Sequence, residues 1–96
     1  SVEQQMASTT IEVRNGSRKN GAAKAMKQQL ETLGLNVAKV GDTTKTYQGT
    51  QIVDFSDKKA PAVMDLLMKS ASGTVLTGLP EGEKPTTAQI LILIGR

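Results

Sequence analysis

Five apolar residues in unbroken succession, Ile90 to Ile94, stand almost at the end of a chain of 96 residues. The run is too short for a buried helix and made of residues that favour strands, and it does not alternate. Such a strand is normally covered on both faces, so it belongs in the interior of a sheet. The rest of the chain must then supply two covers. A chain this short buries only about 60 to 70 % of the surface its unfolded form exposes, which limits it to one thin core and two layers. Only Tyr47 and Phe55 are aromatic. The interior must therefore be filled with Ile, Leu, Val, Met and Ala, the four methionines serving as filler.

The remaining segments read as a single domain over 9–96, preceded by a linker or frayed end over 1–8, where Gln and Ser dominate without a sustained period. The chain begins at Ser1 with no initiator Met, as a piece of a longer protein would. Thr9 to Arg14 alternates, with Ile11 and Val13 on one face and Thr10, Glu12 and Arg14 on the other, the period of a half-buried strand. From Gly21 the pattern turns helical, with Ala22, Met26, Leu30 and Leu33 on one stripe and Gly34 as the stop. Leu35 to Val40 and Thr50 to Phe55 read as short strands joined by a polar connection over Gly41 to Gly49. A second helix follows, with Ser56 or Asp57 as cap, Pro61 in its first turn and Ala60, Val63, Met64, Leu67 and Ala71 facing inward. Thr74 to Thr77 is a short β-prone piece, and Gly78 to Thr87 is a loop rich in Pro and Gly.

The order β-α-β-β-α-β(-β) predicts an α+β fold, two helices packed on one face of a mixed sheet of four or five strands. Two helices cover one face only. The other side of Ile90–Ile94 then calls for a partner surface, a homodimer contact or a neighbouring domain, unless a few apolar side chains simply stay exposed.

Catalytic chemistry finds little to work with. There is no cysteine and no histidine, which removes thiol nucleophiles, zinc-thiolate sites and the commonest general base and metal ligand. The carboxylates are scattered without the spacing of an acid-base or metal pair, and Glu81 and Glu83, between Pro80 and Pro85, read as a solvated turn. A net charge of +3 is a mild basic excess rather than a concentrated cationic stripe, and the lack of aromatic platforms argues against nucleic acid. No stretch reaches the roughly 18 apolar residues of a membrane span. The expectation is a domain with no enzyme activity, cofactor or metal that binds something else.

Asn15-Gly16-Ser17-Arg18-Lys19-Asn20-Gly21, between a strand and a helix, is the candidate ligand-binding segment. Gly16 and Gly21 have the spacing of glycines in a phosphate-cradling loop. Ala22 and Ala23 stand where a nucleotide-binding loop needs Lys and Ser or Thr, which argues against nucleotide hydrolysis. What remains is a turn whose Asn15, Ser17, Arg18, Lys19 and Asn20 suit an anionic group, with hydrogen bonds from backbone N–H groups and Ser17 and attraction from the two cations. The competing account is purely structural: Gly16 shapes the turn and Gly21 lets the helix approach the sheet.

Ile11-Glu12-Val13-Arg14-Asn15-Gly16-Ser17, the helix opened by Gly21-Ala22-Ala23 and closed at Gly34, Thr50-Gln51-Ile52, and Ala88-Gln89 leading into Ile90–Ile94 and Gly95 together resemble the C-terminal domain of LytR-type (LytR-CpsA-Psr) cell-envelope proteins. The resemblance runs from Thr10 to Arg96. Gln89 departs from it, standing where the family usually carries an aspartate. The resemblance implies a bacterial, extracytoplasmic accessory domain, tethered by an upstream membrane helix and set behind a domain that transfers glycopolymers onto peptidoglycan. Together with the basic turn and the apolar run, it makes the expected partners an anionic wall polymer or peptidoglycan, the upstream transferase domain or a second copy, with no membrane insertion of this domain and no nucleic acid.

Overall fold

The computed structural model describes residues 1–96. Its elements are α1 (Val2–Ser8), β1 (Thr10–Asn15), α2 (Ala22–Thr32), β2 (Asn36–Asp42), β3 (Gln51–Asp54), α3 (Pro61–Ala71), β4 (Thr74–Leu76) and β5 (Ile90–Ile94). They form the expected α+β fold on a five-stranded mixed sheet of order β2-β1-β5-β3-β4. The apolar run takes the central place. β1 and β2 pair in parallel, as do β3 and β4, and β5 joins the pairs, parallel to β1 and antiparallel to β3. The chain thus folds as two parallel βαβ units on either side of one strand.

Each unit leaves its first strand by the same device. Ser17 bonds back to Asn15 after β1, its N–H and Oγ donating to Asn15 Oδ1 at 3.0 and 2.7 Å. Ser56 does the same to Asp54 after β3, at 2.8 and 2.6 Å. The short side chain replaces a backbone carbonyl in closing the turn, which is why Asx residues stand there. Ser56 is consequently spent on the turn rather than on capping, and the N-cap of α3 is Ala60, with Asp57 and Lys58 in the left-handed region.

α1 corrects the reading of 1–8 as a linker or disordered end. Ser1 and Gln4 form a reciprocal capping box, and Gln5 Oε1 accepts the Ala62 N–H at 2.9 Å, supplying a cap that α3 itself lacks. Met6 packs against the core. These are tertiary contacts, and a seven-residue segment without an apolar period gives no local sign of them.

The main core lies between the sheet and the helices. Ile11, Val13, Ile52, Ile90 and Ile92 meet Leu30, Val63 and Leu67 there, all at most 1 % exposed. The opposite face of β5 is also closed, which overturns the need for an outside partner there. Leu91 and Leu93 have no accessible surface and pack with Val53 and Tyr47, while Leu76 and Leu79 add partial cover. Of the connection read over Gly41 to Gly49 the 43–49 part, together with the Pro- and Gly-rich 78–87 loop, folds back over the sheet as its second layer. The sheet face expected to assemble complexes is occupied by the chain itself.

The two glycines of the first turn exchange the roles assigned to them. Gly21 is the residue with positive φ, +80°, and a Cβ there would meet nothing within 4 Å. Gly16 is the site of close approach, where a Cβ would come within 2.8 Å of the Ile94 carbonyl and 2.9 Å of the Tyr47 ring. Gly16 N–H donates to Ile94 O at 2.9 Å and Gly16 O accepts the Tyr47 N–H at 3.0 Å, so β1, β5 and the 43–49 segment converge on one residue without a side chain.

Candidate functional site

At the carboxyl ends of β1 and β2 the two turns leave a polar groove of about 500 Å³. This is the edge at which parallel α/β sheets commonly hold ligands, because the chain departs there in loops. Its walls are the 15–20 turn and the Asp42–Thr46 segment, and no hydrophobic side chain lines it.

The five candidate residues divide. Asn15, Arg18 and Asn20 line the groove, whereas Ser17 and Lys19 do not. Ser17 is 5 % exposed, and its hydroxyl donates to Asn15 and accepts the Lys19 N–H at 3.1 Å. Asn15 is equally committed, since its Nδ2 donates to Lys19 O at 2.7 Å. These groups build the turn rather than waiting for a ligand. The Gly16, Ser17 and Lys19 N–H groups are likewise spent inside the chain, while those of Arg18 and Asn20 bond to nothing within it. Arg18 sits at φ +67°, and its Nε donates to Thr46 Oγ1 at 2.8 Å. That bond fixes the guanidinium against the opposite wall and leaves its two terminal nitrogens for a ligand.

Lys45 completes the cationic side of the groove, its Nζ 5.6 Å from the Tyr47 ring centroid. Sequence reading missed it, because only the fold brings 43–46 across from the first turn. Against the two cations stands Asp42, so the groove carries a local excess of one positive charge.

Beneath the groove lies a buried charged network that the sequence did not reveal. Glu12 and Arg14 on the non-helical face of β1, and Glu83 from the last loop, are 3, 4 and 7 % exposed. Arg14 Nε meets Glu12 Oε2 at 2.9 Å and its Nη1 meets Glu83 Oε1 at 3.3 Å. The same guanidinium donates to the carbonyls of Lys84 and Pro85 at 2.7 and 3.1 Å, pinning the loop to the sheet. Glu83 Oε2 accepts from the Tyr47 hydroxyl at 2.8 Å and from the Thr44 N–H and hydroxyl at 3.1 and 2.9 Å. Glu12 Oε1 takes the Thr86 hydroxyl at 2.5 Å. No buried side-chain polar atom lacks a partner. Glu83 is therefore the anchor of the second layer and not a residue of a solvated turn. A lone Tyr in a polar stretch, and opposite charges two apart on one face of the first strand, were the available signals.

Burial by itself raises the Glu12 carboxyl, but the hydrogen bonds from Arg14 and Thr86 and the charges of Arg14 and Lys39 outweigh it and hold the group below its ordinary value. In Glu83 burial again works upward, and bonds from Tyr47, Thr44 and Arg14 bring the carboxyl down. Both stay ionised at neutral pH with their oxygens occupied, which suits neither proton donation nor metal binding. No group of three or more Asp or Glu gathers to hold a metal ion. Their depressed values add stability above the ordinary glutamate range near pH 4.3, and that stability is lost as pH falls through the folded values.

Tyr47 shifts the other way. Burial and its bond to the ionised Glu83 raise the phenol from 10.0 to about 12. It is the sole tyrosine and there is no tryptophan, so phenolate absorbance reports this group alone. Alkaline titration is expected to give a midpoint near pH 12 in the folded protein and near 10 in denaturant. The phenol's contribution is complete below pH 10 and disappears as pH rises through 12. A folded-state midpoint near 10 would mean that Tyr47 does not meet Glu83.

Gln89, at the position of the departure from the family pattern, ties the starts of β1 and β5 together. Its Oε1 accepts the Thr10 N–H at 3.1 Å, and its own N–H reaches Thr10 Oγ1 at 3.0 Å. It lies away from the groove and lines none of it.

A family model described as LytR cell envelope-related transcriptional attenuator matches residues 8–96. No curated protein matches the chain. A solved structure, the soluble domain of a conserved hypothetical secreted protein from Mycobacterium marinum, is similar with a TM-score of 0.67 at 18 % identity. The likeness covers 95 % of this chain and 61 % of that one, and at this identity it concerns the fold.

Proposed function

The chain belongs to the LytR C-terminal family, and from that membership we propose that it is a non-catalytic accessory domain that binds anionic wall polymer at the groove between Arg18 and Lys45. The carrying observation is a pair of cations on opposite walls of a wholly polar groove, neither of them in a salt bridge. Arg18 is positioned in advance by Thr46, so little side-chain freedom is lost when an anion docks. The chemistry around it supports holding rather than converting a ligand. The Ser17 hydroxyl is bound into its turn, Glu12 and Glu83 are locked to Arg14, and Asp42 is the lone carboxylate lining the groove.

The cell-envelope description of the family and the secreted character of the similar structure favour a place outside the cytoplasm. In the full-length protein an upstream membrane helix would tether the domain, and its neighbour would be the glycopolymer transferase domain that the family resemblance implies. Recognition in the groove would position that neighbour on the wall.

Isothermal titration with teichoic-acid or peptidoglycan fragments tests the reading. Arg18→Gln combined with Lys45→Gln is expected to weaken binding at least tenfold, about 1.4 kcal/mol or more, since two charge-assisted contacts are lost. Both side chains lie at the surface, so the fold is expected to survive. Equal affinity of the wild type and the double variant would remove the groove as the site.

A further inference from the structure

The groove does not end at Asp42. A second cavity of about 250 Å³ shares Asp42 and Thr44 with it and runs on over the sheet face above Glu12 and Arg14. A third, of about 230 Å³, shares Glu12 and Lys39 with the second and reaches Thr86 and Ala88. Their shared lining residues set the three end to end, outlining a trough that follows β2 from Ala38 to Asp42. Four rises of about 3.3 Å from Ala38 to Asp42 make it roughly 13 Å long before the first turn is added. One wall is β2 and the other is the 83–88 segment, held in place by the bonds from Arg14 to the Lys84 and Pro85 carbonyls and by Thr86 on Glu12.

The far half of the trough has its own cations. Lys39 and Lys84 are exposed on its rims, and both salt bridges of the protein are made by Arg14, so neither lysine has an ion partner. Lys39 lies three residues before Asp42 on β2, about 10 Å from the wall of the first groove. A single small anion cannot reach both cation pairs. The rest of the lining is Thr, Ala, Gly, Pro85 and the carboxylates of Asp42, Glu12 and Glu83, the last two turned to Arg14; with no aromatic ring, sugar stacking contributes nothing and charge with hydroxyl contacts must do the recognition. The trough also runs over the face of the sheet, where it offers side chains rather than a free strand edge to an added peptide strand.

We propose that the trough takes an extended polyanion, with one phosphate-like group between Arg18 and Lys45 and a second about 10 Å further along between Lys39 and Lys84. This rests on the anion-binding reading of the first groove and adds that the ligand is a chain with repeated charges. Joining two weak contacts on one chain makes the second event intramolecular, so affinity depends on length.

The test uses inorganic orthophosphate, tripolyphosphate and polyphosphates of graded length, followed by calorimetry and by amide shifts. Affinity is expected to rise about tenfold or more once the chain spans both cation pairs. Lys39→Gln with Lys84→Gln should abolish that gain and leave tripolyphosphate binding within twofold. Arg18→Gln should weaken every probe. Lys24→Gln with Lys27→Gln, on the outer face of α2, controls for general charge and should cost less than twofold. A length gain that survives in the Lys39/Lys84 variant, or that the α2 control removes equally, overturns the extended trough while leaving the first groove intact. Absence of any shift at residues 15–20 with every probe overturns the first groove and the trough together.

Discussion

Arg14→Met is expected to lower the unfolding free energy by about 3–5 kcal/mol at pH 7, because it strands two buried carboxylates that share one cation. The side chains of Arg14, Glu12 and Glu83 are 5, 4 and 1 % exposed, so water cannot replace the lost partner without opening the loop. The guanidinium also holds the Lys84 and Pro85 carbonyls, so the loss includes the anchor of the trough wall. Arg14→Lys is expected to recover only part of this, since one ammonium cannot fork between two carboxylates and two carbonyls. The pH dependence identifies the cause. In the wild type the two carboxyls sit below their ordinary value and stabilise the fold above pH 4.3 or so. Without Arg14, Glu12 keeps only the Thr86 bond and the Lys39 charge against its burial and its carboxyl rises, whereas Glu83 keeps its bonds from Tyr47 and Thr44; folding then takes up a proton at Glu12 and the penalty shrinks as pH falls toward 4. Urea unfolding at pH 7 and pH 4.5 checks both points. A loss that is equal at the two values would point to lost packing alone.

Leu91→Ala is the second large effect. Leu91 has no accessible surface and lies on the face that the helices do not cover. Truncation there is expected to cost about 3 kcal/mol, within the 2–5 kcal/mol usual for buried leucines. The value matters because it separates two ways of closing that face. If the 43–49 and 78–87 segments close it, the stability of the monomer falls at every protein concentration. If a second copy closed it, the variant would change the association state and leave dilute protein nearly as stable as before. Chemical denaturation at two concentrations a hundredfold apart distinguishes the outcomes, and a concentration-independent loss is the expected one.

Local pattern carried most of the scaffold. Alternation at Ile11 and Val13, the stripes through Leu30 and Leu67, and the unbroken Ile90–Ile94 run each record a face that packs against neighbours near in the pattern. α2 and α3, the strand order along the chain and the central burial of β5 were legible for that reason. What was not legible depends on residues far apart in sequence. Glu83 is 69 residues from Arg14 and 36 from Tyr47, and nothing local distinguishes it from Glu81. α1 is ordered by Gln5 reaching Ala62, across 57 residues. The exchange between Gly16 and Gly21 has the same origin, since close approach is decided by what lies opposite, here Ile94 and Tyr47. At the groove the sequence identified the turn and its cations, but not that Asn15 and Ser17 would be consumed in building it. Nor did it show that Lys45 would line the same groove as Arg18.

These observations make the polar end of the sheet a consequence of the charged layer beneath it. Glu83 holds Thr44 by backbone and side chain, Tyr47 beside it lies under Lys45, and Arg18 leans on Thr46. The groove is thus built from a segment that the buried network fixes in place. Amide shift mapping during titration with wall-polymer fragments tests the central claim most directly. The account predicts that movement concentrates at residues 15–20 and 42–46. Movement confined to the helical face around Lys24 and Lys27, or none at all in the groove at saturating polymer, would contradict it.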